Sequence, residues 1–184
     1  MTVAEATLGA PWLPASTRLR AGAATAGAGL AAAALLRFGV GPRGLIAAFF
    51  LAVLVLLAAV DLERCLLPNK VLLPAAGIVL VAQLAFFGDR AAEWVGYSLG
   101  AAAVVLVLAL VSRGGVGMGD VKLSLLLGAA LGEEVLAAVL IGLIAIWPVA
   151  LFLLVRDGGA ARKRALPLGP ALAFGATVVT LTVV

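Results

Sequence analysis

The sequence predicts an all-α fold, a polytopic transmembrane helical bundle of six to seven spans. Three observations predict it. Hydrophobic residues make up 65% of the 184 and charged residues only 12%, with a mean hydropathy of +1.24. A soluble domain carries about 45–50% apolar and about 25% charged residues, and could not cover this much apolar surface with polar groups. The charges are clustered between long apolar runs. Those runs lack the alternation of a membrane barrel, and a chain in hydrocarbon must satisfy its own backbone hydrogen bonds, which leaves helices.

Residues 1–20 form a polar-to-mixed leader containing Pro11, Pro14, Arg18 and Arg20. Basic residues ahead of an apolar run also suit a signal peptide, but the chain continues as a polytopic protein, so 1–20 is read as a cytoplasmic leader and 21–184 as the membrane domain. Apolar runs follow at 21–36, 44–60, 71–87, 94–111, 135–155 and 166–184. Each approaches the length of about 20 residues that a span needs. The segment 121–132 (VKLSLLLGAALG) is shorter. At about 1.5 Å per residue it reaches about 18 Å, the length of a short span or a re-entrant half-helix.

Charge decides between those two. If all seven segments cross and the N-terminus is cytoplasmic, ten of the thirteen basic residues face the cytoplasm: Arg18, Arg20, Arg64, Lys70, Arg113, Lys122, Arg156, Arg162, Lys163 and Arg164. Arg37, Arg43 and Arg90 face outward. If 121–132 turned back, the split would become six against seven and the positive-inside bias would vanish. Seven crossings are therefore expected, the short one needing a locally thin bilayer or protein neighbours.

The residue inventory excludes several chemistries. There is no histidine, and Cys65 is the single cysteine. An HExxH metalloprotease, a Ser-His protease and a His-ligated haem cannot be built, and no internal disulfide can form. No metal or cofactor is expected. A Ser-Lys pair is disfavoured because Ser124 and Lys122 face apart on a helix. The formal charge of +4 is small, and its placement argues orientation rather than nucleic-acid binding.

Most carboxylates read as solvated charge: Glu5, Asp89, Glu93, Glu133, Glu134 and Asp157. Asp61 and Asp120 differ. Asp61 ends the run IAAFFLAVLVLLAAV without a polar break, and Asp120 follows GGVGMG and opens an apolar run. Ionisable groups against hydrocarbon are costly and mark functional sites, although Asp120 would also serve as an N-cap. Gly114, Gly115, Gly117 and Gly119 free the backbone for positive φ and for close approach of another chain. No phosphate-loop pattern is present. Pro68 breaks the connection after Asp61, with Asn69 and Lys70 preceding the next helix.

These stretches resemble a known family. DLERCLLPN, beginning at Asp61, is similar to the first active-site motif of the type IV prepilin peptidases. GMGDVKL, containing Asp120, is similar to their second, the GxGD signature shared with presenilin-type proteases. LPLGPALAFGA at 166–176 resembles the Pro-Phe-Gly-Pro segment that begins their last helix, with Leu168 in place of the usual Phe. The similarity covers roughly 44–184.

The resemblance implies a catalytic dyad of Asp61 and Asp120, with Gly117, Gly119, Pro68, Asn69 and Lys122 positioning loop or substrate. One carboxylate activates a water and the other, protonated, donates to the scissile carbonyl. It implies prepilin or pseudopilin-like substrates, cut at the cytoplasmic face of the cell membrane, where the charge count puts both Asp residues. Many bacterial members carry an insert with two CxxC pairs and also methylate the product. This chain has one cysteine and no room for the insert, which makes it resemble a short form and sets methyltransferase activity in question. Two rival readings are a small transporter or channel subunit using membrane carboxylates, and a non-catalytic family member acting as an assembly scaffold.

Overall fold

The computed structural model describes residues 13–14, 16–111, 117–157 and 168–183. Most of the expected leader, together with Gly114, Gly115, Arg113, the basic cluster 162–164 and Leu166, lies outside the described residues. Seven α-helices are described: α1 Thr17–Phe38, α2 Pro42–Arg64, α3 Asn69–Phe86, α4 Ala91–Val111, α5 Met118–Leu131, α6 Val135–Asp157 and α7 Gly169–Thr182. Single 3-10 turns at Gly88–Arg90 and Gly132–Glu134 lead into α4 and α6.

Local chemistry sets the ends. Ser16 caps α1, its hydroxyl accepting from the Leu19 N–H at 3.0 Å, one of the donors a helix start leaves open. Gly39 ends α1 at φ 78°, and Pro42 opens α2, where its missing N–H costs nothing. Cys65 closes α2 in the left-handed region, at φ 48°. Pro68 then sits at the N-cap of α3. Helices α3 and α6 run through Pro74 and Pro148, as spans often do.

The helices alternate in direction. Arg37 Nη2 at the end of α1 donates to the Thr182 carbonyl at the end of α7 (3.3 Å). Ser16, at the start of α1, donates its N–H to Glu63 near the end of α2 (3.1 Å). Ser98 of α4 donates to the Leu125 carbonyl of α5 at 2.9 Å. Glycines let neighbouring backbones touch: a methyl group on Gly128 would drive into the Tyr97 carbonyl, and one on Gly175 into the Ala138 carbonyl. Small residues at crossings are how membrane helices associate where burial in lipid gives no preference.

By length and composition the described residues hold five segments fit to cross a membrane, α5 and α6 forming one continuous apolar stretch, and α7 is a shorter apolar helix. The chain is a multi-pass membrane protein. Helix α5, about 21 Å long, is the segment whose crossing was in question. It runs from Asp120 at one end of the bundle to Leu131 and Gly132, which share a cavity with Arg43 and Phe87 at the other. Eight of its fourteen residues are buried, so neighbouring helices, not lipid, surround it. The outer helices present Leu136, Leu140, Ile144, Trp147 and Val155 of α6 and Val104, Leu108 and Val111 of α4 outward.

Candidate active site

Asp61 sits one turn before the end of α2, and only 6% of its surface is exposed. A buried carboxylate needs donors. The donor here is the first backbone N–H of α7: Gly169 N–H donates to Asp61 Oδ2 at 2.9 Å. The start of that helix carries partial positive charge, which favours an anion. Pro170 follows at the next position, where a proline leaves no further donor idle. A Cβ at Gly169 would lie 2.7 Å from Asp61 Oδ2, so only glycine brings this backbone so close.

Asp120 is placed differently from the expectation of an N-cap. Gly117 is the N-cap of α5, in extended conformation (φ −80°, ψ 152°), and Asp120 is the third residue of the helix. Its Oδ2 accepts from the Gly117 N–H at 3.2 Å. This is the carboxylate half of a capping box, with no side chain on the N-cap. The expected use of positive φ is also corrected. Gly39 and Gly132 are the glycines with positive φ among the described residues. Gly117 needs none, and Gly119 is helical. Gly119 matters through close approach instead: a Cβ there would meet the Leu67 Cβ at 3.1 Å.

That contact joins the two motifs. Leu67 lies on the link after Asp61, and Gly119 immediately precedes Asp120. A second bridge lies beside it, where Lys122 Nζ donates to Asn69 Oδ1 at 2.9 Å. Pro68, between Leu67 and Asn69, holds the link extended (φ −72°, ψ 116°). Asp61 and Asp120 consequently share one end of the bundle. Of the residues named from sequence, Asp61, Pro68, Asn69, Gly117, Gly119, Asp120 and Lys122 all meet there. Gly169 was not singled out, although it stands inside the LGP of the third stretch. Cys65 is exposed and ends a helix.

Each of the two carboxylates is held through Oδ2 by a backbone N–H. No group of three or more metal-ligating side chains occurs among the described residues. A family model for the type IV leader peptidase family matches residues 48–156. A Bacillus subtilis protein named prepilin leader peptidase/N-methyltransferase is 36% identical over 160 residues, which cover 83% of this chain and 61% of the relative. This chain thus spans less than two thirds of that relative's length. No solved structure matches it.

Proposed function

We propose a function from a plain premise: the chain belongs to the type IV leader peptidase family, a family of aspartic proteases. It acts as an aspartic endopeptidase that removes the leader of prepilin or pseudopilin-like proteins at the cytoplasmic face of the cell membrane. The observation that carries this reading is the meeting of the Asp61 and Asp120 ends through Leu67–Gly119 and Asn69–Lys122.

The chemistry follows from two carboxylates sharing one proton. The ionised member takes a proton from water as the water attacks the scissile carbonyl. The protonated member donates to the carbonyl oxygen, so charge never builds up unpaired. Collapse of the tetrahedral intermediate breaks the C–N bond, and the proton gained by the base passes to the leaving amine. Gly169 and Gly117 fix one oxygen of each carboxyl, which spares the enzyme reorganisation during the reaction. The name of the Bacillus relative includes an N-methyltransferase. Cleavage is the activity proposed here; methylation, set in question by the single cysteine, is left out of it.

Co-expression with a prepilin tests the reading. Asp61→Asn and Asp120→Asn each abolish leader removal at unchanged protein level. Full cleavage by either variant overturns the dyad, and ion flux in liposomes without any cleavage supports a transporter instead.

A further inference from the structure

A second site lies at the opposite end of the bundle from the two carboxylates. A cavity of about 330 Å³ opens there between the end of α3, the start of α2 and the turns before α4 and α6. That volume is within the range of small-ligand pockets. Its mouth is charged and its depth apolar. Arg43 stands at the rim, and Phe50 lies seven residues, or about 10 Å, further along α2. Ile46 and Val183 continue the apolar wall. A polar mouth above an apolar floor, at the end of a membrane span, suits an amphiphile.

The charges at the mouth are not mutually satisfied. Arg90 is committed to Glu93 (2.6 Å), with Glu133 at 3.8 Å. Arg43 has no carboxylate partner among the described residues; its guanidinium lies over the Phe87 ring at 5.7 Å. Asp89 and Glu134 have no cation within ion-pair distance among the described residues, and Asp89 feels Arg90 only at longer range. Two polar side chains line the cavity beneath the mouth: Gln83, a residue only 5% exposed, and Trp94, whose buried Nε1 has no hydrogen-bond partner among the described residues. A buried donor without a partner is costly, and a ligand oxygen that accepts from it removes the cost.

We propose that this cavity seats the headgroup of a zwitterionic, amine-bearing phospholipid, with phosphate on Arg43, ammonium on Asp89 and Glu134, and the Trp94 Nε1–H and Gln83 amide on the ester oxygens beneath. Four carboxylates face two guanidinium groups around the cavity, so a ligand of purely negative charge is disfavoured and an ammonium is favoured. The apolar floor takes the first carbons of an acyl chain, which a free headgroup lacks. The site is independent of the peptidase reading.

Native mass spectrometry of the detergent-purified full chain tests this with three probes at equal concentration: dioleoylphosphatidylethanolamine, dioleoylphosphatidylglycerol and water-soluble glycerophosphoethanolamine. The ethanolamine lipid is retained about tenfold or more over the glycerol lipid, and retention falls by about the same factor in Arg43→Gln, Asp89→Asn and Gln83→Leu. Arg43 and Asp89 are exposed rim residues, so their variants keep the fold even if the buried Gln83→Leu does not. Equal retention of both lipids, or undiminished retention in both rim variants, overturns the proposal. Glycerophosphoethanolamine binding as tightly as the lipid also overturns it, in favour of a soluble zwitterion.

Discussion

Gly169 has no side chain because the Asp61 carboxylate occupies the place where one would begin. Gly169→Ala pushes a methyl to within 2.7 Å of Oδ2. The carboxylate end can swing away, so the fold survives while the geometry does not. A displacement of about 1 Å in a catalytic group costs on the order of 10²-fold in rate. Cleavage by Gly169→Ala should fall by that factor at normal membrane abundance, measured by leader removal beside an immunoblot. The Asn69–Lys122 bridge gives a second test at this scale. Asn69→Ala and Lys122→Ala each lose a charge-assisted bond worth about 1.5–3 kcal/mol at most, less at an exposed pair. If the bridge holds the motifs together, the two losses in cleavage rate overlap, and the double variant is no slower than the worse single one. Full additivity would assign the two residues separate roles. Asp61 and Asp120 were legible in sequence because a carboxylate at the edge of an unbroken apolar run is anomalous by itself. Gly169 was not, since its role depends on an atom 108 residues away. The Pro-Leu-Gly-Pro stretch marks Gly169 by resemblance, but nothing in it shows which side chain the glycine must admit.

Helices are held here by their ends and crossings more than by amphipathic faces, because lipid accepts apolar residues all round. The spans were readable for that reason: length and hydropathy suffice, and the observed helices differ from the expected runs by a few residues at each end. The last helix is the clearest case. It was expected over 166–184 and is described from Gly169, where Pro170 fixes the first turn. The crossings were not readable, because a glycine facing lipid and one facing a backbone look alike in sequence. Gly175→Leu should therefore be severe. It forces bulk into the Ala138 carbonyl between α6 and α7, and overpacking costs roughly 1–3 kcal/mol or more. A lowered melting temperature in detergent checks it, and Gly77→Leu, with open space around it, is the control. The end of α2 predicts the opposite sign. Cys65 is the one non-glycine residue with positive φ among those described. Left-handed conformation costs an L-residue about 1–2 kcal/mol, partly offset by the entropy glycine loses on folding. Cys65→Gly should raise stability by about 0.5–1 kcal/mol and leave cleavage intact, which also excludes a nucleophilic cysteine.

Across the whole molecule, basic residues sort by end. Arg37, Arg43 and Arg90 belong to the end with the cavity, where Arg37 bonds to Thr182 and the other two line the wall. Arg18, Arg20, Arg64, Lys70 and Lys122 belong to the end with the two carboxylates, where Ser16 bonds to Glu63 and Lys122 to Asn69. The positive-inside rule then predicts a cytoplasmic carboxylate end. The chain carries its own reporter for this orientation. Cys65 is the single cysteine, it is exposed, and it lies four residues after Asp61. A membrane-impermeant maleimide should leave Cys65 unlabelled in intact cells and label it in inverted membrane vesicles. Moving the thiol to the other end reverses the pattern: Cys65→Gly combined with Asp89→Cys, on the exposed turn before α4, should label from outside alone. Labelling of Cys65 in intact cells would place Asp61 on the outer face, away from any substrate leader held in the cytoplasm. The peptidase reading would then fail even if both carboxylates proved essential.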